Sequence, residues 1–168
     1  MRIAARTCLA LIALSLAADG GVAKESAELS TLVIVSAKRP LTDVSSADLR
    51  RIFLGQVTRW GDGRRIQLLV RAAGSPEQRL LLSRVIRMSD IDFSQHWLGQ
   101  VFRGAAASPP RTVDSADAMK QVVRTNADAI GLLLSSDLSI DDQRTIRPLT
   151  IDRKSVEEEE YPLHFSRQ

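Results

Sequence analysis

Cysteine is almost missing from this 168-residue chain. The single copy, Cys8, lies in an apolar N-terminal stretch. If that stretch is a removable signal, the rest holds no cysteine, which excludes disulfides and thiol catalysis. Histidine is nearly as scarce. His96 and His164 stand far apart without cysteine nearby, so no metal-ligand spacing arises. Asp90 and Asp92, close to His96, read as helix-start residues favoured by the helix dipole. There is no G-x-G-x-x-G, no P-loop and no nucleophile elbow, so nothing supports an enzyme, and no cofactor is expected. Aromatics are sparse at 4%. The basic excess is small, +3 with a pI near 9.5, and dispersed, which argues against a nucleic-acid partner. The longest apolar run is too short to span a bilayer comfortably.

What is present begins with an export signal. Arg2 and Arg6 precede the apolar run from Thr7 to Ala18, and Gly21-Val22-Ala23 offers small residues for a signal peptidase. Residues 1–23 are therefore expected to be removed, with cleavage after Ala23 and Ala18 as the alternative. Residues 24–168 are expected to form one domain in the periplasm or outside the cell. Removal takes away Arg2, Arg6 and Asp19 and leaves 21 basic against 19 acidic side chains, net +2.

Apolar runs at Leu32–Val35, Ile66–Val70 and Ala129–Leu134 predict buried strands. Weaker strands are expected at Arg111–Val113 and Ile146–Ile151. Helices are predicted over Ala47–Leu54 behind Ser45-Ser46, from Ser75 to Ile86, over Ser89–Arg103, and over Ala116–Thr125 behind Ser115. Gly55 is a natural stop for the first, and Asn126 a left-handed terminator for the last. Trp60 should cover the edge of the core, and Glu157–Glu160 should be a solvated turn. Strands alternating with helices imply an α/β fold: one three-layer unit, a small and mainly parallel sheet, helices on both faces.

The most informative stretch is Ile66–Ile86. A strand ends at Arg71, Ala72-Ala73-Gly74 turns the chain, and Ser75-Pro76-Glu77-Gln78 opens a helix. Ser-x-x-Gln is a capping box, and Pro suits the first helical position. Such a turn makes an anion site possible through Arg71, Gly74 and Ser75. The competing structural reading is a capped helix with Arg71 paired to a carboxylate such as Glu77.

These motifs, taken in order, resemble the second lobe of the phosphate-binding protein of bacterial ABC transporters, a type 2 periplasmic binding protein. Ala47–Gly55 followed by Thr58-Arg59-Trp60 resembles the family's helix and its I-F-x-G-x-x-x-x-W signature. Val70–Ser75 resembles its phosphate turn, Asp128-Ala129-Ile130-Gly131 its G-A-I-G strand, and Ile151–Leu163 its return segment. The resemblance spans Leu32 to Leu163. It implies phosphate or a similar oxyanion as ligand, with Arg71, Gly74 and Ser75 retained from the family's Arg-x-Asp-Gly-Ser-Gly-Thr turn. The family's Asp is Ala73 here, its second Gly is Pro76, and its Thr is Glu77, so at most weak binding is expected, about millimolar or weaker. Submicromolar capture would need a second wall from a homodimer or an envelope protein. The alternative is an interaction or sensory module of the envelope that keeps the fold without the ligand.

Overall fold

The computed structural model describes residues 29–165 except Ala107; the expected signal, residues 1–23, lies outside the described residues. Among the described residues, seven strands and four α-helices follow in the order β1 (Leu29–Ser36), β2 (Asp43–Val44), α1 (Ser46–Phe53), β3 (Gln67–Arg71), α2 (Pro76–Leu80), α3 (Asp90–Phe102), β4 (Arg111–Val113), α4 (Ala116–Thr125), β5 (Ala129–Leu134), β6 (Ile146–Ile151) and β7 (His164–Phe165). The sheet order is β2-β6-β1-β5-β3-β4, with β7 on the start of β1.

The α/β class and the layers match the expectation, whereas the strand directions are mixed. β3 runs parallel to β4 and β5, and β2 parallel to β6. The central strand β1 runs antiparallel to β5, β6 and β7. Successive side chains of a strand face opposite sides, and this sorts the core into two halves. Leu32 and Ile34 of β1 join Leu69, Leu133, Met119 and Val123 on the α4 side. Val33 and Val35 join Val70, Leu132, Phe53, Leu81 and Trp97 on the side of α1, α2 and α3.

Each helix begins as its cap predicts. Ser45, Ser75, Ser89 and Ser115 accept from the backbone N–H three residues on. Asn126 differs from expectation: its backbone is extended, with φ −120°. Its Oδ1 accepts from the Asp128 N–H at 2.8 Å, so a side-chain turn ends the helix without a left-handed residue. The expected single helix Ser75–Ile86 divides, because α2 passes into a π-helical segment, Leu81–Ile86. Ser83 Oγ donates to the Arg79 carbonyl, and Arg50 of α1 donates to the Val85 and Ile86 carbonyls. Both satisfy carbonyls that the regular helix ladder would otherwise use or leave open.

Trp97 fixes α3 against the end of α1. Its indole N–H donates to the Phe53 carbonyl at 3.2 Å, and its ring lies over Gly55. A Cβ on Gly55 would stand 2.7 Å from that ring, and φ is +70°, so glycine is required twice over. Trp60 is buried, as expected; its N–H donates to the Asp128 carbonyl, and the Arg39 guanidinium lies 4.5 Å from its ring centre. Arg39 is itself buried and paired with Asp62 and Asp128.

Candidate functional site

β3 delivers Arg71 to the C-terminal edge of the sheet. The chain then reverses through Ala72-Ala73-Gly74, where Gly74 has φ +80°, a conformation that disfavours any side chain. The Ser75 N–H donates to the Ala72 carbonyl at 3.1 Å and closes the turn. Ser75 Oγ then accepts from the Gln78 N–H at 3.2 Å and starts α2, with Pro76 in the first position. Arg71, Gly74 and Ser75 are thus brought together at one corner.

The guanidinium of Arg71 is turned onto the helix start. Its Nε–H donates to Glu77 Oε1 at 3.0 Å, and one NH1 proton goes to the Val113 carbonyl of β4 at 3.0 Å. The Arg71 side chain is 15% exposed and that of Glu77 only 2%. Arginine has five N–H donors, so three remain for a ligand. The charge, however, is already matched by Glu77. Pro76 offers no N–H, and the Ser75 hydroxyl oxygen is engaged as a cap.

Only half of the expected capping box forms. Ser75 accepts from Gln78, but its own N–H is taken by Ala72, so the Gln78 side chain has nothing to return to. Gln78 is 5% exposed, and its Oε1 has no partner. The same holds for Oδ1 of Asp90, the first residue of α3. Both residues line a cavity of about 320 Å³ that also touches Arg71, Ala73, Phe93 and Trp97. A buried acceptor left unpaired costs about 1–3 kcal/mol. From the sequence, Gln78 reads as a cap residue and Asp90 as a dipole partner. Nothing local in the sequence shows that both border one cavity.

Two other hollows are present among the described residues. One of about 350 Å³ lies at the opposite end of β3, with exposed Arg65 and Arg111 at its edge. The other lies between α1 and the π-helical segment beside Arg50, Arg84 and Arg87, where Arg50 is occupied by the Val85 and Ile86 carbonyls. Among the described residues, no three His, Cys, Asp or Glu side chains gather as a metal site, and no helix is long and apolar enough to cross a membrane. His96 is half-buried, and its Nε2 lies 2.9 Å from the Leu54 carbonyl.

No family model and no curated protein sequence matches the chain. Solved structures do. An ABC-type phosphate transport receptor from Vibrio cholerae superposes with a TM-score of 0.59 at 18% identity, covering 76% of this chain and 48% of that one. PstS from Borrelia burgdorferi superposes with a TM-score of 0.62 at 12% identity, covering 81% of this chain and 54% of that one. The chain therefore spans about half the length of these proteins. At such identities the match speaks for architecture alone: this chain has the fold of part of a phosphate-binding transport receptor.

Proposed function

We propose that the chain is an exported, non-enzymatic solute-binding domain that takes phosphate or a similar oxyanion weakly at the C-terminal edge of β3. The observation that carries this reading is Arg71, placed at a glycine turn with three donors unspent. Gly74 gives the turn its left-handed corner, and Ser75 fixes the helix start beside it. The similarity in fold to a phosphate transport receptor supports the choice of ligand. The Arg2, Arg6 and Thr7–Ala18 pattern supports export, with cleavage near Ala23 into the periplasm.

The affinity follows from the geometry. A hydrogen bond to a charged group contributes about 1.5–3 kcal/mol, while association costs about 4–15 kcal/mol. Glu77 cancels the long-range attraction of Arg71, which leaves short-range donors alone. Kd is then about a millimolar or weaker. Calorimetric titration with phosphate, sulfate and a neutral sugar tests this. Saturable phosphate binding that disappears in Arg71→Ala supports it, and a flat response at tens of millimolar overturns it. N-terminal sequencing of the exported protein tests cleavage after Ala23.

A second reading, docking to an envelope protein or to a second copy of this chain, is favoured by one feature. Ile91, Leu98 and Phe102 are 69%, 58% and 81% exposed and recur at helical spacing on the outer side of α3. Alanine at Leu98 and Phe102 should abolish any self-association seen by sedimentation if that face is used.

A further inference from the structure

We infer that the exposed face of α3 pairs with the same face of a second copy of this chain, the two helices running antiparallel across a two-fold axis. This rests on the docking reading of that face and goes beyond it by naming the partner and its orientation. The apolar part of the face is the stripe Ile91, Leu98 and Phe102, three large side chains left in water. Apolar surface alone names no partner. The charges beside the stripe do. Asp92 and Arg103 are both exposed, and neither has an ion-pair partner among the described residues; the Asp92 carboxylate accepts from the Ser89 hydroxyl at 2.8 Å.

From Asp92 to Arg103 is about three helical turns, so the two charges lie on one flank of α3 at opposite ends. Ile91 and Phe102 have the same separation along the stripe. The Arg103 guanidinium folds back along the flank, where its NH1 would stand 3.1 Å from a Cβ on Gly99. Even so, about 10 Å of helix separates Gly99 from Asp92, too far for the charges to pair within one copy. Two-fold symmetry sets each flank against the same flank of the other copy, read in the opposite direction. With Ile91 opposite the second copy's Phe102, Asp92 comes level with the second copy's residue 101, between the Arg103 backbone and its guanidinium. The ion pair then forms twice. A parallel arrangement would instead set like charge against like charge and align the two helix dipoles. The face is therefore complementary to itself in one orientation. A single helix pair buries less than the roughly 1,600 Å² of a standard interface, so the association is weak. Leu98 and Val101 also line the cavity that Arg71 borders, so the second copy lies along its rim.

Sedimentation equilibrium of the exported protein, at low salt and without phosphate, tests the pairing. A reversible monomer–dimer equilibrium is expected below about 1 mM. Asp92→Arg and Arg103→Asp should each weaken it roughly fivefold or more, because both ion pairs become like-charge contacts. An equimolar mixture of the two variants should associate more tightly than either alone, since opposite charges then face each other at both ends. That rescue carries its own control, because a variant that had lost its fold would not be restored by mixing. The double variant Asp92→Arg with Arg103→Asp should return to near the wild-type constant. A protein that stays monomeric at about 1 mM overturns the inference and leaves an envelope protein as the partner of the face. A mixture no tighter than its separate components overturns it as well. If such charge-blind association still disappears in Leu98→Ala with Phe102→Ala, the face docks and the antiparallel pairing alone has failed. Phosphate is absent throughout, so the oxyanion reading is judged separately.

Discussion

Replacing Glu77 by glutamine should weaken the fold and strengthen phosphate binding at once. The glutamine oxygen can still accept the Arg71 Nε–H that Glu77 accepts at 3.0 Å, and the Val113 carbonyl still holds NH1. What disappears is the negative charge beside a guanidinium that is 15% exposed. Removing one member of a buried ion pair typically costs about 3–5 kcal/mol, and the retained hydrogen bonds place this variant at the lower end. Domains of this kind have about 5–15 kcal/mol in hand, so the variant should fold. At the same time the arginine regains a charge to offer. If an oxyanion then collects the full charge-assisted bond, the gain is about 1.5–3 kcal/mol, roughly 10- to 150-fold in affinity. The two effects are linked, because phosphate at 100 times its Kd should return about 2.7 kcal/mol of stability. Urea unfolding with and without phosphate, alongside calorimetry, measures both. A variant that loses stability yet binds phosphate no better than wild type would show that Arg71 does not face the ligand. A variant unchanged in both would refute the ion-pair account.

Three further substitutions probe the frame and the acid limb. Gly55→Ala forces a side chain into a left-handed corner, at about 1–2 kcal/mol, and displaces the Trp97 ring that would lie 2.7 Å from the new methyl; an unchanged urea midpoint would contradict this. Arg39→Met removes the buried guanidinium from Asp62 and Asp128, leaves Arg64 still paired with Asp128, and should lower the urea midpoint while leaving phosphate affinity unchanged, since that cluster lies away from the Arg71 turn; an unchanged midpoint would contradict this. The Ser139 backbone N–H, followed by the Ser139 hydroxyl and the Lys120 ammonium, brings the Asp142 carboxyl from 3.8 down to about 2. Its folded pKa is the lower one, so its contribution is complete above about pH 4 and is lost as pH falls toward 2. Asp142→Asn should flatten that part of the stability profile, and an equally steep acid limb in the variant would contradict it.

Much of the fold is legible because its strands and caps are local signals. The runs at Ala129–Leu134 and Ile146–Ile151 coincide with β5 and β6, and the serine caps start helices where they were expected. The direction of β1 was not legible. Its antiparallel place between β5 and β6 depends on contacts across the chain, such as Val33 opposite Leu132 and Leu149, which no local pattern encodes. β2 and β7, two residues each, are too short to have a period. The π-helical segment was hidden for a similar reason: Leu80–Ile86 reads as an ordinary apolar helix face, and the Arg50 guanidinium that caps it comes from α1. The Arg71–Glu77 pair could be foreseen because both residues belong to one turn. That Gln78 and Asp90 border one cavity could not, since it depends on where α3 sits relative to the end of β3.

The Arg71 Nε–H resonance, followed as phosphate is added to the wild-type protein, tests the central claim most directly. Displacement of Glu77 or sharing with it should move that signal along a single saturable curve with its midpoint at about a millimolar or above. A signal that stays fixed while other residues titrate would place the ligand elsewhere, and saturation at submicromolar phosphate would contradict the proposal that Glu77 blunts the site.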